Sequence, residues 1–317
     1  MKKLISVVAP MYNEESLAHM YCQEMKKMTE ELSEKYDFEI ILVNDGSQDR
    51  TYAIMQEEQV ANPKEISIIC LSRNFGLEGA VNAGIRQAKG EAVVVMDADL
   101  QDPPHLIPEM IQKWENGADI VIGSRIKRSN DNFLKKAGAG LYYKVLDWLS
   151  GKIKLEKSAA NFRLLSRRAL DQVLSLPEVN SVFRVVVPFV GMKTDVVEYD
   201  RDKRYAGTTK YNLKSMIPYA LDSITGISIE PLRKIMFLQP IAILWFVISL
   251  VAMFFCKESW KVVWFTSVIM SAFFELILLA LGIMAEYIGQ IMTEVKGRPT
   301  SIIYEYVPSE NTLERIE

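Results

Sequence analysis

The chain is poor in the residues that build metal clusters and redox centres. It has three cysteines, Cys22, Cys70 and Cys256, without CxxC spacing, and two histidines, His19 and His105. That excludes a zinc site made from these side chains and fits a reduced, cytoplasm-facing chain. There is no basic excess: 37 Lys and Arg stand against 40 Asp and Glu, a net charge of −3. A nucleic-acid partner is therefore not expected, because nothing offsets a phosphate backbone. No G-x-G-x-x-G follows the first apolar run and no GxxxxGK[ST] loop occurs, which disfavours dinucleotide oxidoreductases and P-loop NTPases. Gly138 and Gly140 lie in a helical stretch and read as packing. Met1-Lys2-Lys3 leads into a β-like run too short for a signal-peptide core, so no cleaved leader is expected.

Charge is also missing from two long stretches. Residues 236–255 carry none, and residues 262–284 carry one, Glu275. Each is long enough to cross a hydrocarbon core of roughly 30 Å. Six residues, 256–261, join them, which predicts a membrane hairpin with both flanks on one side. Arg233, Lys234, Lys296 and Arg298 flank it, against Lys257 and Lys261 in the loop. The positive-inside rule then makes the chain a multi-pass protein of the inner (plasma) membrane with a cytoplasmic catalytic domain. The expected domains are 1–231, with interfacial helices near 211–231, then the hairpin within 232–290, then a tail, 291–317, with a short strand near 298–306 and a frayed acidic end.

What the chain does have is centred on residues 93–104. Val93-Val94-Val95-Met96 reads as a strand buried on both faces, and Asp97 and Asp99 follow at its carboxyl end. Pro103-Pro104 ends the strand and can start a helix. Two hard oxygen ligands at this spacing suit Mg²⁺ or Mn²⁺ beside a diphosphate, and capping aspartates are the alternative. Strands at 4–9, ended by Pro10, and at 38–43, 66–71, 93–96 and 119–122 alternate with helices at 16–36, 49–59 and 78–88. That alternation predicts a doubly wound, Rossmann-like α/β sheet with helices on both faces. Asn13/Glu14, Asn44/Asp45, Arg73/Asn74 and Asp97/Asp99 end successive strands, and such ends converge on a ligand crevice. Asp45 has a second reading, an Asx turn before Gly46.

Six segments resemble the family 2 glycosyltransferases: Pro10-Met-Tyr-Asn-Glu14, Val43-Asn-Asp-Gly-Ser47, Arg73-Asn-Phe-Gly76, Met96-Asp-Ala-Asp-Leu-Gln-Asp-Pro-Pro104, Asn161-Phe-Arg-Leu164 and Tyr205-Ala-Gly-Thr-Thr-Lys210. More narrowly they are similar to the polyprenyl-phosphate glycosyltransferases, relatives of dolichol-phosphate mannose synthase and of bacterial undecaprenyl-phosphate glucosyltransferases. The resemblance implies a GT-A-type fold binding a nucleotide-sugar with a divalent metal, and an inverted product linkage. By the same resemblance Pro10, Tyr12, Glu14 and Asp45 line the nucleotide pocket, and Asp97, Asp99 and Gln101 surround metal and diphosphate. Arg73 stands at the third strand end. On the acceptor side, Arg125, Lys135, Lys136, Arg163, Arg204 and Lys210 supply cations for phosphate, Arg being suited by its planar fork. A solvated surface role is the alternative for Lys135 and Lys136.

Asn161 stands where many relatives carry Asp, a general-base candidate. Asn cannot take that proton, which favours an acceptor already ionised near neutral pH, such as a phosphate monoester. Asp102 is another carboxylate available for the role. The candidate catalytic set is Asp97, Asp99, Arg125, Asn161 and Arg204. The expected reaction moves a hexose from UDP-glucose or UDP-GlcNAc to polyprenyl (undecaprenyl) phosphate, in a homo-oligomer. A processive polysaccharide synthase would carry a Q-x-x-R-W motif and more membrane helices. A catalytically inactive nucleotide-sugar-binding adaptor is the remaining alternative.

Overall fold

The computed structural model describes residues 2–125, 159–177, 183–199, 244 and 259–315. Chain order is β1 (Lys3–Met11), α1 (Ala18–Leu32), β2 (Tyr36–Asn44), α2 (Thr51–Ala61), β3 (Ile66–Leu71), α3 (Leu77–Gln87), β4 (Ala92–Val95) and a 3₁₀ turn (Pro104–Leu106). Then follow α4 (Ile107–Glu115), β5 (Ile120–Arg125), β6 (Ala159–Ser166), α5 (Arg167–Ser175), α6 (Phe183–Val190), β7 (Thr194–Tyr199), α7 (Ser259–Lys296), β8 (Ile303–Val307) and α8 (Glu310–Leu313).

The eight strands form one sheet in the order β7-β5-β6-β4-β1-β2-β3-β8. β1, β2, β3 and β4 are mutually parallel, and β5 is parallel to β7. Apolar residues on both sides of these strands are buried by two helix layers. Ile5, Val7, Ile40, Leu42 and Val94 face α1, α2 and α4, where Tyr21, Met25, Met55, Ile107 and Met110 pack. Val8, Ile41, Val43, Val93 and Val95 face α3, α5 and α6, through Ala80, Val81, Leu170 and Phe183. The doubly wound expectation therefore holds for the helices, but the sheet is mixed rather than parallel. β6 runs antiparallel to β4 and β5, and β8 antiparallel to β3.

Several expected boundaries move. β1 continues through Pro10, which is paired with Val43 of β2. Val8 O accepts from Met96 N, the residue just past β4, at 3.1 Å. Two residues on, the missing N–H of Pro10 faces past the end of β4, so no ladder bond is lost. The expected C-terminal tail belongs to the sheet unit, which takes in residues 298–317, while α7 falls in a second unit. A buried polar network fastens this segment. Glu39, in the middle of β2, accepts from Ser6 Oγ at 2.6 Å, from Lys89 N at 3.1 Å and from Thr312 Oγ1. Asn311 Nδ2 donates to Phe38 O at 2.8 Å, and Ser309 N to Ser67 Oγ at 2.9 Å.

The first apolar run, 236–255, lies outside the described residues apart from Leu244, as do the interfacial stretch 211–231 and the loop 256–258. The second run falls in α7. Within it Ala272–Lys296 is long and apolar enough to cross a membrane, the one such helix among the described residues. Its large apolar side chains Phe274, Ile277, Leu281 and Ile288 are exposed.

Candidate active site

β1 to β4 are parallel, and β5 and β7 share their direction because β6 reverses it twice. The carboxyl ends of six strands thus meet at one sheet edge, where β6 begins. The structure brings Tyr12, Glu14, Asp45, Arg73, Asp97, Asp99 and Asn161 to that edge, together with the backbone of Arg125.

The loops after β1 and β2 are stitched together. Asn13, in the left-handed region at φ 52°, gives its N–H to Ser47 Oγ at 3.0 Å and accepts from Gln48 N at 2.8 Å. Glu14 N donates to Thr51 Oγ1 at 2.8 Å, and Glu15 N to Asp49 Oδ2 at 3.2 Å. Tyr12 and Glu14 are left half-buried at the rim, and Pro10 is buried beneath them. Asn13 and Ser47 lie inside the segments read as motifs, whereas Thr51 was not singled out by motif reading. The one local sign of the stitching is that Asn tolerates the left-handed region.

Asp45 is buried and reaches across to the loop after β3. Its Oδ1 accepts from Phe75 N at 2.7 Å and its Oδ2 from Gly76 N at 3.0 Å. The side-chain bond within this turn comes instead from Asn44, whose Oδ1 accepts from Ser47 N, three residues on, at 3.0 Å. Gly46, at φ 68°, is required twice over, since a Cβ there would meet Arg73 C at 2.5 Å. Burial pushes the Asp45 carboxyl up to about 6, against the two backbone N–H donors and Arg73, which pull it down. Arg73 is exposed and its guanidinium lies 4.0 Å from the Phe75 ring centroid.

Asp97 and Asp99 are half-buried on the turn after β4, with Ala98 and Leu100 buried between and beyond them. Leu100 is held at φ 53°. Asp99 Oδ1 accepts from Gln101 N at 3.1 Å, while neither aspartate caps the 3₁₀ turn or α4. Helix capping is therefore not their role. Tyr21 of α1 is buried, and burial, then Cys22 and Asp97, raises its hydroxyl well above the ordinary value. The register Val95↔Arg163, continued two residues, brings Asn161 level with Asp97 one strand over.

Among the described residues, no three His, Cys, Asp or Glu side chains gather into a metal cage. Two carboxylates and the Gln101 amide on one turn fit a hard cation that completes its shell with phosphate oxygens.

Three expectations change. Arg163 is only 1% exposed: it sits between β4 and β5, on the sheet face covered by α3, α5 and α6, and belongs to the scaffold rather than to a phosphate-facing surface. Asp102 is 0% exposed and its carboxylate accepts from the Tyr199 hydroxyl, so it is not open to an acceptor as a base. β5 runs on to Arg125 rather than ending at 122, so Arg125 is its last residue. Lys135, Lys136, Arg204 and Lys210 lie outside the described residues.

Comparison with known proteins bears on this edge. A family model described as glycosyl transferase family 2 matches residues 6–174. An uncharacterized glycosyltransferase of Bacillus subtilis (strain 168) is 39% identical over 96% of this chain and 95% of its own length. The SfII prophage-derived bactoprenol glucosyl transferase of Shigella flexneri is 36% identical over 94% of this chain and 97% of its own. Among solved structures, mannosyl-3-phosphoglycerate synthase from Rubrobacter xylanophilus superposes with a TM-score of 0.51 at 14% identity. That match covers 69% of this chain and 71% of the other, a likeness of fold.

Proposed function

This chain belongs to glycosyl transferase family 2, and from that premise we propose that it moves glucose from UDP-glucose to a polyprenyl phosphate at the cytoplasmic face of the membrane. The observation that carries this reading is the near-full-length similarity to proteins named bactoprenol glucosyl transferase, 36% identical over 94% of the chain. UDP-GlcNAc is the competing donor.

In this reading the donor lies across the carboxyl ends of β1 to β4, its nucleotide toward Tyr12, Glu14 and Asp45. Asp97, Asp99 and Gln101 would hold Mg²⁺ or Mn²⁺. The cation, when bound, neutralises charge developing on the leaving diphosphate. An oxygen of the acceptor phosphate attacks the anomeric carbon as the bond to the diphosphate breaks, and UDP leaves with the electron pair. The linkage inverts. The attacking phosphate monoester is already ionised near neutral pH, its second pKa being about 6, so no protein group need take a proton. Asn161, level with Asp97, then contributes a neutral hydrogen-bonding side chain beside the reacting groups. The burial of Asp102 is consistent with a reaction that runs without a carboxylate base. The hairpin expected of the two apolar runs would anchor the chain in the membrane that holds the lipid phosphate.

The test is incubation of the purified full chain with radiolabelled UDP-glucose or UDP-GlcNAc, undecaprenyl phosphate and Mn²⁺, followed by organic extraction. Metal-dependent label from UDP-glucose in the lipid phase is expected. Label only from UDP-GlcNAc would correct the donor, and no label from either would overturn the reading.

A further inference from the structure

The buried bond between Tyr199 and Asp102 joins two parts of the site edge that lie 97 residues apart in the chain. Asp102 closes the turn that begins at Asp97, and it is completely buried. A buried carboxylate is stable only with donors held against it, and a phenol hydroxyl at a charged acceptor is a strong one. The donor itself is locked. The Tyr199 ring meets Phe162 edge-on, with centroids 6.1 Å apart and planes at 88°. Gly123 leaves space for that pair, because a Cβ there would sit 2.8 Å from Phe162 Cδ1 and 3.2 Å from Tyr199 Cε1. The turn needs holding, since Leu100 keeps a left-handed backbone that a branched side chain adopts only under outside constraint. Tyr199 is also the last residue of β7, so the segment carrying Arg204 and Lys210 leaves from it.

We propose that Tyr199 is a positioning residue: through its hydroxyl on Asp102 it sets the turn that presents Asp97 and Asp99 to the cation-bound diphosphate. This rests on the donor reading above. Tyr199 touches no substrate in this role. Removing its hydroxyl leaves the ring packed on Phe162 but lets the turn relax. The loss should therefore fall on cation-dependent diphosphate binding more than on the fold.

The test uses the full chain in detergent, with Tyr199→Phe and Asp102→Asn. Calorimetry of UDP binding across a Mn²⁺ titration is independent of turnover, and initial rates with UDP-glucose give KM and kcat separately. Tyr199→Phe should raise the Mn²⁺ concentration for half-maximal UDP binding about tenfold and raise the donor KM, with the unfolding midpoint nearly unchanged. Asp102→Asn keeps an acceptor oxygen but not the charge, and should fall between wild type and Tyr199→Phe. It serves as the test should Tyr199→Phe fail to fold. Unchanged Mn²⁺ dependence in the folded variants, with only a lower midpoint, would make the bond purely structural and overturn the proposal. Wild-type protein that binds UDP with Mn²⁺ but transfers nothing to lipid would sink the acceptor reading while the Tyr199 comparison still decides the proposal. Wild-type protein without Mn²⁺-dependent UDP binding would overturn both.

Discussion

At the scale of single residues, three side chains carry separable predictions. Asp99 stands half-buried on the β4 turn and caps no helix, and in the proposed reading it helps to hold the cation. A bound cation supplies several kcal/mol at a developing phosphate charge. Asp99→Ala should therefore lower transfer by about 10³-fold with little change in the unfolding midpoint, as radiolabel transfer and thermal melts would show. Asp45 gives a pH signature. Its carboxyl is pushed from 3.8 up to about 6, so the folded protein holds this proton more tightly than the unfolded chain. Ionised Asp45 thus costs stability above pH 6, and that cost is relieved as pH falls from about 6 toward 3.8. Binding moves the other way, since the neutral acid loses its charge-assisted grip on the loop at Phe75 and Gly76. UDP-glucose affinity measured by calorimetry should weaken as pH drops through about 6, and Asp45→Asn should flatten the profile. Asn161 tests the acceptor. A new carboxylate beside an ionised phosphate repels it, so Asn161→Asp should slow transfer or leave it unchanged. A large rate gain would show that a base had been missing.

At the scale of elements, the C-terminal segment does more than its length implies. β8 supplies the sheet edge beside β3, with Ser72 N donating to Ile302 O at 2.9 Å next to the Arg73 loop. α8 presents Thr312 to the buried carboxylate of Glu39. Losing a donor to a buried charge costs about 2–3 kcal/mol, so Thr312→Val should lower stability by that amount in urea unfolding. Cutting the chain after Pro231 removes β8 and α8 together. The expected product is an insoluble chain rather than a free catalytic domain, which expression and size-exclusion chromatography would reveal.

At the scale of the whole molecule, the sheet unit and α7 differ in what they bury. Ala272–Lys296 exposes large aliphatic and aromatic residues along its length, a surface that water does not favour. Together with the charge-free run at 236–255 it predicts an integral membrane protein. The full chain should remain in the membrane pellet through alkaline carbonate extraction. Its release into the supernatant would mean that the apolar runs are covered by protein, and the hairpin would be lost.

The local features of this protein were legible in the sequence. Alternating strands and helices, and the polar residues that punctuate each strand at Asn13, Asp45, Arg73 and Asp97, follow from hydrophobic period and turn chemistry within a few residues. Parallel connections then bring those ends to one edge with little freedom of choice. The tertiary structure alone decided the rest. Arg163 looked like a phosphate ligand until antiparallel β6 turned it onto a helix-covered face. Asp102 looked like a spare base until Tyr199, with no motif around it, closed over it. Glu39 reads as a charge inside an apolar strand until Thr312, 273 residues later, satisfies it. Each of these depends on a partner that sequence distance does not constrain. Burial makes the outcome matter, because an unpaired charge in the core costs far more than the same charge in water.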